Sequence, residues 1–352
     1  MKKFLTFMWV GALVLMLVVM TGCGGEKGDS VNNGTPVVKE KVEVAYVTNG
    51  IAVFWDIAKV GAQAAAKEFG STCEVIMPPK GIVDQKRMVE GLLARGIDGV
   101  AISPIDADNQ VAFLNQVAAK TNLITQDSDA PDSDRLAFIG MNNYLAGRAA
   151  GRLVKEALPE GGSVAIFVGR LEQLNSQQRR QGIIDELLDR PEQSADAMQY
   201  DPSNAKLVGD KYSVIDTRTD GFDYSKAKSN AEDMIATTPD LGCMVGLFAY
   251  NMPACIEAVK GADKLNDIKL VSFDEADETL QGITDGYVYG TISQQPYLYG
   301  YHSVRILTAL AKGDNSVLPE NGMLDVDFIE VRKDNIDAFW GDLKDLVAKA
   351  SE

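Results

Sequence analysis

This chain has little of what most catalytic and nucleic-acid-binding sites need. It contains one histidine and four cysteines in 352 residues. Sites built from several histidines and a dense disulfide scaffold are therefore excluded. Basic residues are outnumbered 34 to 50 by acidic ones, which gives a net charge of −16. Because nucleic-acid binding relies on Lys and Arg to neutralise phosphates, we expect no DNA or RNA partner.

Long uncharged apolar runs are also scarce, and the one clear case is at the N-terminus. The run from Phe4 to Met20 has no charge and follows two lysines. A basic start, an apolar stretch and small residues before a cleavage point are typical of an export signal. Cys23 directly follows Thr-Gly, which resembles a bacterial lipobox, whereas an uncleaved membrane anchor is the alternative. We interpret residues 1–22 as a lipoprotein signal peptide and Cys23 as the lipidated residue.

The segment after Cys23 predicts a tether. Gly24 to Lys39 is rich in Gly, Ser, Asn and Asp and has no apolar periodicity, so residues 23–40 are expected to be flexible. Under either interpretation of the N-terminus, the rest of the chain lies outside the cytoplasm. We expect it in the periplasm or on the outer cell surface, anchored to a membrane by lipid.

From residue 42 onwards, short apolar segments alternate with longer amphipathic ones. Val42 to Thr48 predicts a strand, and apolar residues at steps of three and four from Phe54 to Phe69 predict a helix ended by Gly70. Further strands and helices follow to about residue 311, interrupted by a polar segment from Arg190 to Asp210. This alternation predicts an α/β protein with two doubly wound parallel-sheet lobes and a boundary near Gly140–Asn143.

Ligands of open parallel sheets bind outside the carboxyl ends of the strands, so the residues after each predicted strand are candidates. Polar and aromatic side chains recur there. The candidate ligand-binding residues are Thr48, Asn49, Phe54, Trp55, Asp127, Asp129, Arg179, Phe222, Tyr250, Asn251, Asp274 and Gln294. Carboxylate, amide and guanidinium groups bind neighbouring hydroxyls, and aromatic faces cover sugar C–H faces. The set suits a carbohydrate, although an aspartate after a strand is equally often a helix cap.

Taken together, these motifs resemble the periplasmic sugar-binding proteins of ABC importers, the ribose/galactose-type family with the type I solute-binding fold. The resemblance covers about residues 42–335. It is carried by Phe54-Trp55, Asp127-Ser128-Asp129, Arg179-Arg180-Gln181-Gly182, Tyr250-Asn251, Ser272-Phe273-Asp274 and Ile292-Ser293-Gln294-Gln295-Pro296. It implies a first lobe of residues 41–141 plus 295–322 and a second lobe of 142–294 plus 323–352. Hinge crossings are implied near Asn142, Gln294 and Gly322.

The resemblance also implies roles for single residues. Phe54 and Trp55 match an aromatic pair that encloses the sugar together with Phe222. The family's polar ligands fall on Asp127, Arg179, Asp274 and Gln294. Its asparagine after the strand that ends near residue 248 falls on Asn251, with a register that includes Tyr250 left open.

Two positions depart from the ribose pattern of that family. Ala52 falls where ribose binders carry an asparagine, and Ser128 where they carry an arginine. A site that lacks two such groups loses their hydrogen bonds to the ligand. We therefore expect ribose to bind weakly and another monosaccharide or polyol to bind better.

The predicted function is that of a monomeric solute-binding lipoprotein that captures a sugar or polyol between two lobes and delivers it to an ABC permease. We expect no cofactor, no metal and no catalytic residue. The alternatives are a ligand-sensing protein for a membrane receptor and, less favoured, a carbohydrate-active enzyme. P-loop, Gly-x-Gly-x-x-Gly and Gly-x-Ser-x-Gly motifs are absent, and Gly147 indicates helix packing. Cys243 and Cys255 are interpreted as small buried residues, and whether they pair is left open.

Overall fold

The structure is a computed structural model that describes residues 41–194 and 197–350. The strands of this part are β1 Val42–Val47, β2 Ser71–Ile76, β3 Gly99–Ile102, β4 Asn122–Gln126, β5 Phe138–Gly140, β6 Gly162–Val168, β7 Leu207–Val208, β8 Tyr212–Thr219, β9 Leu241–Gly246, β10 Lys269–Phe273, β11 Val288–Ser293, β12 Met323–Asp325 and β13 Ile329–Val331. Its helices are α1 Val53–Phe69, α2 Ile82–Ala94, α3 Val111–Ala118, α4 Asn143–Ala157, α5 Leu174–Leu187, α6 Tyr224–Thr237, α7 Asn251–Gly261, α8 Asp277–Asp285, α9 Pro296–Ala311 and α10 Ile336–Ala350. The predicted signal peptide, the tether and Cys23 lie outside the described residues.

The strands form two separate sheets. The first has the strand order β12-β5-β4-β3-β1-β2, and every pair in it is parallel. The second has the order β13-β11-β10-β9-β6-β8-β7 and is parallel except at its edges, where β13 and β7 run antiparallel. The prediction of an α/β fold with two mostly parallel sheets is confirmed.

Side-chain alternation explains why helices cover both faces of each sheet. In β1, Val42, Val44 and Tyr46 face α1 and α9, whereas Ala45 and Val47 face α2 and α3. The second sheet likewise packs against α4 and α5 on one face and against α6, α7 and α8 on the other. Each sheet therefore has its own two-sided core, and we call the two units the first and second lobes.

Glycines allow two helix pairs to approach each other closely. A Cβ on Gly61 of α1 would overlap the carbonyl oxygen of Tyr297 on α9. One on Gly147 of α4 would overlap the carbonyl oxygen of Arg179 on α5. The prediction that Gly147 serves helix packing is confirmed by this contact.

The chain passes between the lobes after β5, after β11 and after β12. The third crossing differs from the predicted boundary, which assigned residues 323–352 to the second lobe. Gly322 has a left-handed backbone (φ 69°), and its carbonyl accepts a hydrogen bond of 2.9 Å from the Phe138 N–H. This turn aligns β12 with β5, so the first lobe extends to Asp325.

Two further observations concern the described part of the chain. No helix in it combines the length and the apolar character needed to cross a bilayer. Cys243 and Cys255 are buried there as free thiols, and burial raises the pKa of both.

Candidate ligand-binding site

A cavity of about 710 Å³ lies between the carboxyl ends of the two sheets. Small-molecule sites typically enclose about 300–1,000 Å³. The loops after β1, β2 and β4 form its first-lobe wall, and the loops after β6, β8, β9 and β10 form its second-lobe wall. The predicted residues that line it are Asn49, Phe54, Trp55, Asp127, Phe222, Tyr250, Asp274 and Gln294.

Asp127 is the buried carboxylate of the first-lobe wall. It directly follows β4 in a left-handed conformation (φ 61°). Its Oδ2 accepts hydrogen bonds from Ser103 Oγ at 2.9 Å and from Asn49 Nδ2 at 3.4 Å. Burial raises the pKa of this carboxyl to about 6, although the charge of Arg179 and the Ser103 hydrogen bond act in the opposite direction. Asp127 is thus an oriented hydrogen-bond acceptor at the cavity.

Asp274 occupies the matching position in the second lobe, directly after β10 (φ 63°). Its Oδ1 accepts a hydrogen bond from Gln294 Nε2 at 2.7 Å, and its Oδ2 accepts one from the Ala249 N–H at 3.1 Å. Burial raises its pKa, while Arg179 and these donors lower it. Because Gln294 follows β11 where the chain passes between the lobes, this bond joins Asp274 to one of the connecting segments.

Arg179 is a fully buried guanidinium on α5 close to Asp127 and Asp274, but it is not among the residues that line the cavity. Its Nε donates to Asn143 Oδ1 at 2.9 Å, and its Nη1 donates to the carbonyl of Leu247 at 3.0 Å. The guanidinium carbon lies 5.0 Å from the centre of the Phe273 ring. Within the described residues Nη2 has no partner. Arg179 lowers the pKa of both site aspartates, so it is a fixed donor near both with one nitrogen available.

The start of α5 carries further buried polar atoms without partners. Gln173, Asn175 and Ser176 are buried, and none of their side-chain oxygens and nitrogens has a hydrogen-bond partner among the described residues. This turn abuts the first lobe, since the Ala107 N–H donates to the Glu172 carbonyl at 3.4 Å. An unsatisfied buried polar group costs about 1–3 kcal/mol, so these side chains are candidates for contact with ligand or water.

Aromatic rings occur on both walls of the cavity. Phe54 and Trp55 meet edge to face with ring centres 4.7 Å apart in the first lobe. Phe222 packs against Phe248 and Tyr250 in the second lobe, with centres 5.6 and 6.0 Å apart. Phe222 has a left-handed backbone (φ 68°) and remains 42% exposed. Both walls therefore offer apolar surface beside the polar groups.

Four predicted residues do not line the cavity: Arg179, described above, and Thr48, Asp129 and Asn251. Thr48 is buried and donates to the Gly50 carbonyl at 2.6 Å. Asp129 forms two hydrogen bonds with Arg135, at 2.5 and 2.6 Å, and is thereby engaged within the first lobe. Asn251 donates to Asp220 Oδ2 at 2.9 Å and accepts from the Phe248 N–H, so Tyr250 lines the cavity at this turn instead.

Several residues of the site were missed. Lys80 and Arg170 line the cavity, and Asn143 and Asp220 hold Arg179 and Tyr250 in place. Arg170 and Asp220 follow β6 and β8 by one or two residues, so the rule of strand ends could have identified them. The rest depend on tertiary contacts. In the described part of the chain, no group of three or more His, Cys, Asp or Glu side chains could hold a metal ion.

The two departures from the ribose pattern have distinct surroundings. Ala52 lines the cavity at the start of α1 and brings no polar group to it. Ser128 is buried next to Asp127, and its Oγ has no partner among the described residues. The first-lobe wall consequently carries fewer polar side chains than the ribose pattern has at these positions.

Two α/β lobes, with polar and aromatic side chains around a cleft at the carboxyl ends of their strands, define a class of two-lobed ligand-binding proteins. The family model described as "Periplasmic binding protein domain" matches residues 42–315. The chain belongs to this periplasmic binding protein family and has its type I fold.

Individual relatives agree with this assignment. The ribose import binding protein RbsB of Haemophilus influenzae is 25% identical over 74% of this chain and 82% of its own length. The D-ribose/D-allose-binding protein of Pseudomonas aeruginosa is 23% identical over 89% of this chain and 95% of its own. The crystal structure of an ABC transporter solute-binding protein from Burkholderia graminis in complex with D-arabinose superposes with a TM-score of 0.75. That protein is 26% identical, and the match covers 85% of this chain and 98% of that one.

Proposed function

We propose that this protein is an extracytoplasmic solute-binding protein that captures a monosaccharide or polyol between its lobes and delivers it to an ABC permease. The observation that carries the proposal is the group formed by Asp127, Arg179 and Asp274, one buried cation beside two buried carboxylates. A relative that is 26% identical was crystallised with D-arabinose, and curated relatives bind ribose or allose by name. These likenesses support a sugar as the ligand class.

The chemistry of the group favours a polyhydroxyl ligand. A hydroxyl both donates and accepts, so neighbouring hydroxyls can donate to Asp127 and Asp274 and accept from Arg179 Nη2. The C–H faces of the same ring can rest on Phe54, Trp55 or Phe222. A ligand of this kind satisfies buried charges that would otherwise lower the stability of the closed cleft.

A sugar panel tests the proposal directly. Pentoses, hexoses and sugar alcohols are screened by thermal shift, because a ligand that binds only the native state raises stability by about 2.7 kcal/mol at 100 times its Kd. At least one compound should raise Tm and give a micromolar or lower Kd in calorimetry. Ribose should bind at least tenfold more weakly than the best compound. Tight ribose binding contradicts the specificity argument, and no response from the whole panel contradicts binding of a neutral monosaccharide or polyol.

The proposed membrane anchor rests on Cys23 between an apolar leader and a polar tether. Replacing Cys23 with Ala should release the protein from the membrane fraction or leave the leader uncut. Labelling with a radioactive fatty acid measures whether the variant is still lipidated. Unchanged labelling of the variant contradicts lipidation at Cys23.

Delivery to a permease is separable from sensing. Deleting the gene in its native host should abolish high-affinity uptake of the best compound from the panel, and restoring it should recover uptake. Complementing the deletion strain with Arg179→Ala, a variant expected to bind the ligand weakly, should not recover uptake. Normal uptake in the deletion strain contradicts the transport role.

A further inference from the structure

The mouth of the cavity carries two positive charges that no described carboxylate neutralises. Lys80 follows β2 in the first lobe, Arg170 follows β6 in the second, and both line the cavity. Within residues 41–194 and 197–350, neither forms an ion pair with an Asp or Glu. Arg135 and Arg148 of the same chain each pair with a carboxylate. In a chain of net charge −16, the cavity mouth is thus locally cationic.

Arg170 is held in place by an aromatic ring. Its guanidinium carbon lies 5.2 Å from the centre of the Phe222 ring, and its Nη1 lies 3.9 Å from where a Cβ on Gly81 would be. The side chain therefore reaches from the second lobe to the loop that carries Lys80. The nearby Asp220 already accepts hydrogen bonds from Tyr250, Asn251 and the Phe222 N–H. A guanidinium stacked on a ring keeps its N–H edge available to an acceptor.

Two helix starts on the first-lobe side contribute partial positive charge, although each helix also carries one aspartate in its first turn, Asp56 in α1 and Asp84 in α2. α1 begins after Ala52 and α2 after Gly81, and neither start has a side-chain cap. Both residues line the same cavity as Lys80. The first N–H groups of a helix have no intrahelical partner and carry partial positive charge. An anionic group at the mouth would meet cationic side chains and helix starts together.

We propose that the ligand is a sugar with an anionic substituent, a carboxylate or a phosphate, which Arg170 and Lys80 bind at the cavity mouth. The inference rests on the proposed sugar-binding function and names its substrate class. Asp127 and Asp274 repel an anion from the deeper part of the cleft, so the ring binds there through its hydroxyls. The ligand is therefore oriented with its anionic group at the cavity mouth and its hydroxyls in the deeper part of the cleft.

The test compares matched neutral and anionic sugars by calorimetry: glucose with glucuronate, galactose with galacturonate, and ribose with ribose 5-phosphate. The anionic member of at least one pair should bind at least tenfold more tightly than its neutral partner. Raising the salt concentration should reduce this ratio, because exposed charges are screened. The uronate and phosphate pairs distinguish a carboxylate from a phosphate.

Variants assign the preference to the two side chains. In the double variant Lys80→Gln with Arg170→Gln, the ratio of anionic to neutral affinity should fall to about one. Lys67→Gln is a control for loss of a distant positive charge, because Lys67 is in the last turn of α1, roughly 20 Å from the start of that helix. It should leave the ratio unchanged.

Two outcomes separate this inference from the function on which it rests. Equal affinity of the members of every pair overturns the anionic substrate and leaves sugar binding intact, as does a preference that survives in the double variant. A complete lack of binding by neutral and anionic sugars overturns both.

Discussion

The two walls of the cleft differ in how they satisfy their buried polar groups. In the first lobe, Asp127 is already bonded to Ser103 and Asn49. Around α5 in the second lobe, Gln173, Asn175, Ser176 and Arg179 leave six buried nitrogen and oxygen atoms without partners among the described residues. Apart from Ser128 Oγ, the first-lobe groups around Asp127 are therefore satisfied within the protein. The buried group on α5, which we call the α5 wall although its residues are not among those that line the cavity, retains hydrogen-bonding capacity.

This difference indicates which hydrogen bonds to the ligand should contribute most to affinity. A new hydrogen bond to a group that is already satisfied adds little, whereas pairing an unsatisfied buried group removes a cost of about 1–3 kcal/mol. Hydroxyls that reach α5 should consequently contribute more to affinity than hydroxyls that meet Asn49 or Ser103. The same atoms should lower the stability of the ligand-free protein.

The largest expected effect comes from Arg179. Arg179→Ala should weaken ligand binding by roughly 1.5–3 kcal/mol, or about ten- to a hundredfold, because it removes a charged donor. Arg180→Ala is the control, since that neighbouring buried arginine bonds to Thr217 and to the carbonyls of Asp201 and Pro202 instead. It should lower Tm and leave Kd unchanged in calorimetry. Equal affinity losses in the two variants would contradict the special role of the α5 wall.

The close contact of Gly147 on α4 with the Arg179 backbone offers a second way to disturb α5. Gly147→Ala places a Cβ against the Arg179 backbone and should cost about 1–3 kcal/mol of unfolding free energy through overpacking. It should also weaken binding about tenfold, because α5 must shift. Gly91→Ala, within α2, is the control, because its Cβ would meet no atom within 4 Å, and it should change both less. Chemical denaturation and calorimetry measure the two quantities, and unchanged affinity in Gly147→Ala would contradict the coupling.

Asn175 should respond in opposite directions in the two measurements. Asn175→Ala removes two unpartnered buried atoms, so it should raise the stability of the ligand-free protein by about 1 kcal/mol while weakening ligand binding about tenfold. Gln181→Ala is the comparison, because that buried amide is bonded to Asp185 and Asp201. It should lose stability and keep its affinity. A loss of ligand-free stability in Asn175→Ala would indicate a satisfied side chain.

The smallest expected effect is the contribution of Asp127, in the first lobe, to the pH dependence of the free energy of unfolding. Its pKa is raised from 3.8 to about 6 in the folded state, so the folded protein binds the extra proton between those values. This carboxyl therefore makes the free energy of unfolding fall as pH rises from 5 to 7, by about 1 kcal/mol. Asp127→Asn should remove that increment in urea titrations at the two pH values. An unchanged pH dependence in the variant would contradict the raised pKa.

The strand ends show how much of the site could be predicted. Asp127 and Asp274 were identified because their location depends only on where a buried strand stops, and the structure has both at the cavity. The sequence favoured Asn251 over Tyr250, but Tyr250 lines the cavity, because one residue of rotation at the start of α7 exchanges the side chain that faces the cleft. Asp129 lies just beyond the same strand end as Asp127, but its partner Arg135 arrives through a turn with no periodic pattern.

Long-range contacts explain the remaining differences. β12 has only three residues, and it pairs with β5, a strand almost two hundred residues earlier in the chain. A local sequence pattern cannot predict such a pairing. Gln173, Asn175 and Ser176 have the composition of an ordinary polar helix start. Only the contact of this turn with the first lobe leaves them buried without partners.

The order of segments along the chain also has a consequence for biosynthesis. All of the second sheet except β13 comes from one continuous stretch, whereas the first lobe needs α9 and β12, which follow that stretch. Gly61 on α1 and Gly300 on α9 lie at the close contact between these two helices. During synthesis from the N-terminus, the earliest segments therefore remain without their packing partner until nearly the whole polypeptide has emerged. The first lobe can therefore complete its core only after nearly all of the second sheet has been synthesised.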